Sequence, residues 1–170
     1  GPVTRYDYNR SGNLIRTTSY TGEAYTLTGL LVTDSPTLTA MNGWVDGLTD
    51  KTKAQMTEIA YDFRGAIKTT YSYSDVLVSG GANSAAPRTV TQYGYDHHGR
   101  VISRYVVGVP GTETFIYDGL DRIVSTVDFN GDLTTSAFYD AAGTTVVTNA
   151  AGLNRISVYN RAGVVVSTTE

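Results

Sequence analysis

One short phrase recurs through the chain: an apolar or β-branched residue, then Asp or Asn, two free positions, Gly, and a run of strand formers. It is densest in the last third, as Tyr117-Asp118-Gly119-Leu120-Asp121-Arg122, Tyr139-Asp140-Ala141-Ala142-Gly143 and Tyr159-Asn160-Arg161-Ala162-Gly163, whose starts lie 22 and then 20 residues apart. Weaker copies, Val127-Asp128-Phe129-Asn130-Gly131 and Thr148-Asn149-Ala150-Ala151-Gly152, halve that spacing. Earlier copies read Tyr8-Asn9-Arg10-Ser11-Gly12, Tyr61-Asp62-Phe63-Arg64-Gly65 and Tyr95-Asp96-His97-His98-Gly99. A period in this range constrains the whole fold before any single residue does.

Asp or Asn suits the first position of a type I turn, because its side-chain oxygen accepts backbone N–H groups just ahead. Gly three residues later takes the left-handed conformation of the bulge that follows such a turn. Turns of this kind join antiparallel strands, and the runs between them, such as Thr144-Thr145-Val146-Val147-Thr148, are rich in strand formers. The expected fold is all-β: consecutive antiparallel hairpins forming a curved or spiral repeat sheet. A parallel β-solenoid is the alternative, because about 22 residues can make one rung of two strands.

The expected organisation is a first set of hairpins over 1–33, including a strand at 24–32, then an irregular excursion over 34–52. Ser35-Pro36, Asn42-Gly43 and Asp46-Gly47 are turn or breaker signals, so the excursion reads as a loop with at most a short helical turn. A second repeat hairpin follows over 53–78, with its strand starting near Lys53. The small, polar stretch 79–88 reads as a flexible loop, and 89–170 as the regular block. Gly1-Pro2 looks like the scar of a cleaved tag, which makes the chain an excised piece of a larger repeat array.

Only 17% of the 170 residues are charged, and the net charge of -3 argues against nucleic acid, which needs a basic patch. Cys is absent, which excludes disulfides and thiolate metal sites. No apolar run is long enough to span a membrane.

The Tyr-Asp-x-x-Gly phrases at Tyr61, Tyr95 and Tyr139, with Asn for Asp at Tyr8 and Tyr159, resemble the YD repeat of the rearrangement-hotspot (RHS) family. That family includes bacterial polymorphic toxins, the cocoon subunits of insecticidal toxin complexes and teneurins. The resemblance touches most of the chain outside about 21–52. It implies hairpins wound into a shell, a secreted or cell-surface bacterial protein, and flanking repeats and an enclosed toxin domain as partners. The chain is far shorter than a closed shell and lacks the autocleaving core segment of many members.

The residues of the phrase read as architecture rather than chemistry. Asn9, Asp62, Asp96, Asp118, Asp140, Asn149 and Asn160, with Gly12, Gly65, Gly99, Gly143, Gly152 and Gly163, are expected to build repeat turns. A carboxylate recurring in every hairpin is better explained by local backbone bonding than by a hydrolase pair, which needs two acids at one fixed separation. His97 and His98 occupy free turn positions, where adjacent residues converge poorly on one ion. Tyr8, Tyr61, Tyr95, Tyr117, Tyr139 and Tyr159 are expected to stack as a cross-strand ladder. Trp44, the only Trp, is the best single candidate for a ligand or partner contact.

The expected function is a non-catalytic scaffold without catalytic residues, cofactor or metal. The alternative is an adhesin module that binds glycan or a surface protein through Tyr-rich strands and the 34–52 excursion. Self-association through unprotected sheet edges is also expected.

Overall fold

The structure, a computed structural model, describes residues 2–29 and 34–170. In chain order its elements are β1 (Val3–Tyr8), β2 (Leu14–Tyr20), the helix α1 (Leu38–Gly47), β3 (Ala54–Tyr61), β4 (Ile67–Tyr73), β5 (Arg88–Tyr95) and β6 (Val101–Val106). Then come β7 (Glu113–Tyr117), β8 (Ile123–Val127), β9 (Leu133–Tyr139), a 3₁₀ turn (Asp140–Ala142), β10 (Thr144–Thr148), β11 (Asn154–Tyr159) and β12 (Val165–Thr169). The twelve strands lie in one sheet in the order of the chain. Every described pairing between them is antiparallel. The hairpin sheet is therefore the fold, and the parallel solenoid is excluded, because strands that follow one another in the chain are sheet neighbours and every described pairing is antiparallel.

Two compact units divide within β5, at Thr91 and Gln92. The first holds the apolar core. Tyr20, Val45, Leu48, Ala54, Met56, Tyr73 and Val76 are buried together, with Trp44, Tyr71 and Ala82 packed against them. Three of these, Trp44, Val45 and Leu48, come from the segment expected to be irregular. That expectation is corrected by α1, ten residues long. Thr37 caps it, its hydroxyl accepting the Ala40 N–H at 3.2 Å. Gly43 lies inside the helix, where it costs about 1 kcal/mol relative to Ala, and Gly47 is its last residue. Burial of Val45 and Leu48 beside Tyr20 outweighs that local cost, so tertiary packing overrides the breaker signals.

The strand expected at 24–32 is not found over 24–29, which carries no regular structure; 30–32 lies outside the described residues. The stretch 79–88 carries ordered turns. The Leu77 N–H reaches the Gly81 carbonyl at 2.8 Å, the Ala86 N–H reaches that of Asn83 at 3.3 Å, and the Lys51 N–H bonds Val78.

The second unit, 92–170, contains no buried residue at all. Its strands are Thr- and Val-rich, and most of their residues are half-buried, so both faces retain contact with water. An antiparallel sheet tolerates this because its hydrogen bonding is complete within the plane.

Local backbone demands are correspondingly sharp. Gly111 sits at φ 84°, and a Cβ there would run into the carbonyl oxygen of Phe129, whereas a Cβ at Gly99 (φ 82°) meets nothing within 4 Å. Gly99→Ala should therefore cost about 1–2 kcal/mol for the left-handed backbone alone, and Gly111→Ala clearly more, because its obstacle is backbone. Urea unfolding midpoints of the two variants check this order.

Candidate functional site: the line of turns

The repeated turn has one geometry. At Asp62 the N–H donates to the Ala66 carbonyl at 2.8 Å, and the Gly65 N–H donates to the Asp62 carbonyl at 3.1 Å. The Asp62 Oδ1 accepts both the Arg64 and the Ala66 N–H, each at 2.9 Å. The same four bonds recur at Asn9, Asp96, Asp118, Asp128, Asn149 and Asn160. Only an oxygen on Cγ is required, so Asp and Asn interchange. The residue three positions on has positive φ in every case: Gly12, Gly65, Gly99, Gly131, Gly152 and Gly163, and at the Asp118 turn Asp121, at φ 62°.

Asp140 differs. It opens the 3₁₀ turn that Gly143 ends at φ 58°, and its Oδ1 accepts from Arg122. The Gly143 carbonyl in turn accepts the Tyr159 N–H at 2.7 Å.

The turns that lead from β5 to β6, β7 to β8 and β9 to β10 fall at the same end of their strands, and two arginines tie them in series. Arg100 Nη2 meets Asp96 Oδ2 of its own turn at 2.7 Å, and Arg100 Nη1 meets Asp121 Oδ1 of the next at 2.6 Å. Its guanidinium lies 4.7 Å from the centroid of the Tyr117 ring. Arg122 repeats the pattern: Nε to Asp118 Oδ2 at 2.8 Å, Nη1 to Asp140 Oδ1, and the guanidinium 4.1 Å from the Phe138 ring. Sequence reasoning missed Arg100, Arg122 and Asp121. The available signals were Arg four residues after the turn's Asp, and Asp where the other copies have Gly.

Asp121 accepts a left-handed backbone, a conformation Asp tolerates better than most residues, and its carboxylate supplies the second anchor of Arg100. Glycine would relieve the backbone and lose the anchor.

Electrostatics follow the same bonds. Partial burial opposes the charge on Asp96, but the Arg100 N–H, the Arg100 guanidinium and the His98 N–H overcome it and pull the carboxyl down to about 2. Asp62 and Asp118 are also lowered, chiefly by the Ala66 and Arg122 N–H groups respectively. A general acid needs the opposite shift.

The repeat tyrosines are used through their hydroxyls in two places. Tyr61 donates to the Leu14 carbonyl at 2.6 Å and Tyr117 to the Val101 carbonyl at 2.8 Å. Leu14 and Val101 are each five residues after the turn residue of the preceding repeat. Register decides who can do this. Extending the Arg16–Glu58 and Ser103–Thr114 pairs puts Leu14 and Val101 level with the residue just before the Tyr. In β8/β9 and β10/β11 the pairs Ser125–Thr135 and Thr145–Ser157 shift that level by one, to the residue two before Tyr139 or Tyr159. Tyr8 closes β1, which no described strand precedes, and Tyr95 closes β5.

Trp44 is half-buried, packed edge-on against Tyr20 at 6.3 Å and Tyr25 at 5.7 Å. The rings of His97 and His98 lie 3.9 Å apart at their turn. Among the described residues no three His, Cys, Asp or Glu side chains gather as metal ligands. No helix among them is long and apolar enough to cross a membrane.

Near-identical turns along a sheet whose strands follow chain order define a hairpin-repeat fold. No family model and no curated protein matches the chain. Among solved structures it is similar to a chain of the Photorhabdus luminescens Tc holotoxin pore carrying a TccC3 mutation (TM-score 0.62, 14% identity), covering 99% of this chain and 7% of that one. It is also similar to a chain of the TcdB2–TccC3–Cdc42 complex (TM-score 0.60, 15% identity), covering 98% of this chain and 8% of that one. Both neighbours are chains of Tc toxin complexes, so the resemblance to the YD-repeat family holds at the level of fold.

The Asp62, Asp96 and Asp118 carboxyls have folded-state values below their unfolded ones. Their contribution to stability is therefore complete above about pH 4 and is lost as pH falls through about 2 for Asp96. Asp96→Asn keeps a competent turn, as Asn9, Asn149 and Asn160 show, and should flatten the loss of stability between those pH values. Denaturant unfolding from pH 7 to pH 2 reads the difference. Asn149→Ala strips two N–H groups of their acceptor and should cost about 1 kcal/mol at any pH.

Proposed function

We propose that this chain is a non-catalytic structural segment of a large secreted or cell-surface bacterial protein, in which its hairpins form part of a shell wall around a toxin cargo. The observation that carries the reading is the turn at Asn9, Asp62, Asp96, Asp118, Asp128, Asn149 and Asn160, repeated bond for bond along a sheet whose strands follow chain order. A device repeated at seven reversals serves extension of the sheet and leaves no copy among them specialised for chemistry. The depressed Asp carboxyls support the same reading, since each is committed to its own backbone. The fold shared with Tc toxin chains more than ten times longer supports a place inside a large assembly. In that setting the partners are flanking repeats, and the enclosed volume would hold a toxin domain.

The adhesin reading draws less support, because its best candidate, Trp44, is half-buried and already packs at right angles against Tyr20 and Tyr25. Titration with a sugar panel should leave Trp44 fluorescence unchanged; a saturable shift would favour the adhesin. The scaffold reading is tested on the parent protein by electron cryomicroscopy. This segment should form a stretch of continuous wall, with cargo protected from protease, and a solitary module projecting into solvent would overturn it.

A further inference from the structure

A small polar cavity in the first unit goes beyond the scaffold reading and does not rest on it. Alternation puts Arg5 and Asp7 of β1 on the same face as Arg16, Thr18 and Tyr20 of β2, with Arg5 level with Thr18 and Asp7 with Arg16. The last turn of α1 and the loop after β4 meet this face around a cavity of about 230 Å³, to which they contribute Asp46 and Ser79. Lys51 lines it as well. Strand β2 is paired on both sides, with β1 and with β3, so Thr18 forms a floor inside the sheet. Thr18 is only 2% exposed, and its hydroxyl makes no hydrogen bond among the described residues. Burying a hydroxyl without a partner is unfavourable, and an acceptor in the cavity would offset that cost.

Donors outnumber acceptors around that floor. Arg5 commits only its Nε, to Asp7 Oδ1 at 2.8 Å. Arg16 commits Nε and Nη2 to Glu58 Oε1, and Lys51 gives one N–H to the Leu48 carbonyl at 2.7 Å. Each keeps further N–H groups for a ligand. Lys51 is also held in place by its stem, which lies so close to Gly80 that a Cβ there would come within 2.7 Å of Lys51 Cδ. Three cations and two carboxylates line the space. Of the carboxylates, Asp7 is paired with Arg5, and Asp46 is exposed at the rim without a hydrogen bond or ion pair among the described residues. We infer that the cavity binds the oxyanion group of a small molecule, a carboxylate or a phosphate. Arg5, Arg16 and Lys51 are its charged donors, and the Thr18 hydroxyl donates from the floor. Guanidinium groups match the geometry of both oxyanions, and charge-assisted bonds to them are the strong ones.

Nuclear magnetic resonance of the isotope-labelled chain tests this, with titration by sodium phosphate, sodium acetate, sodium chloride and acetamide at constant ionic strength. Phosphate or acetate should shift the backbone amides of Thr18, Lys51 and Gly80 saturably, while chloride and acetamide leave them in place. Saturation by phosphate alone assigns the site to a phosphoryl group, and by acetate alone to a carboxylate. Lys51→Gln should weaken binding about tenfold, the worth of a charge-assisted bond. Thr18→Val keeps the shape of the side chain and should weaken binding about fivefold, with an unchanged circular dichroism spectrum. Asp46→Asn removes the unpaired negative charge and should tighten binding about threefold. No saturable shift with either anion overturns the proposal, as does saturation by acetamide or an unchanged affinity in Thr18→Val. Weaker binding in Asp46→Asn overturns the anion and assigns the cavity to a cationic group instead.

Discussion

One side-chain oxygen accepting two backbone N–H groups is the interaction on which the rest of the structure depends. A four-residue reversal leaves inward-pointing donors that neither strand can reach, and the Cγ oxygen of Asp or Asn satisfies both from inside the loop. Once that loop closes, its length is set. At the turns that follow Tyr8, Tyr61, Tyr117 and Tyr159 the strand absorbs one extra residue and the register shifts, whereas the Asp128 and Asn149 turns close without a shift. The side chain four positions on is delivered to the turn's flank, where Arg100 and Arg122 reach both their own carboxylate and the next hairpin.

The two units draw their cohesion from different sources. In the first, α1 lays Val45 and Leu48 onto Tyr20, Met56 and Tyr73, and burial supplies the driving force. In the second nothing is buried, and cohesion comes from ladder bonds, half-covered Thr and Val side chains, and guanidinium groups spread over Tyr117, Phe129 and Phe138. Such contacts are individually weak and gain from repetition along the sheet, as in other repeat architectures where each unit leans on its neighbours.

The hairpin sheet was legible in the sequence because its information is local: Asp or Asn, Gly and a β-branched run all lie within ten residues. Of the line of turns, the spacing names the first and fourth positions and is silent on the fifth, where Arg occurs in only two copies, at Arg100 and Arg122. Asp121 escaped because left-handed backbone without Gly has no composition signal, and the reason for its presence, Arg100, belongs to another hairpin. The helix was missed for a related cause. Asn42-Gly43 and Asp46-Gly47 read as breaks locally, and the surface that holds α1 in place, Tyr20 with Met56, is remote in sequence. Register was hidden too, since whether Tyr61 or Tyr139 can reach a backbone carbonyl turns on a one-residue offset between strands.

The serial bridging by Arg100 and Arg122 has a mechanical corollary. A plain meander pulled from one end peels hairpin by hairpin, each rupture independent of the last, at low force. Here the guanidinium that grips one reversal also grips the next one at the same end of the sheet, so detaching a hairpin drags on that loop before its own ladder opens. Resistance to tearing is thereby shared across three alternate reversals along one end of the sheet, from Asp96 to Asp140, in the stretch that has no interior to protect it.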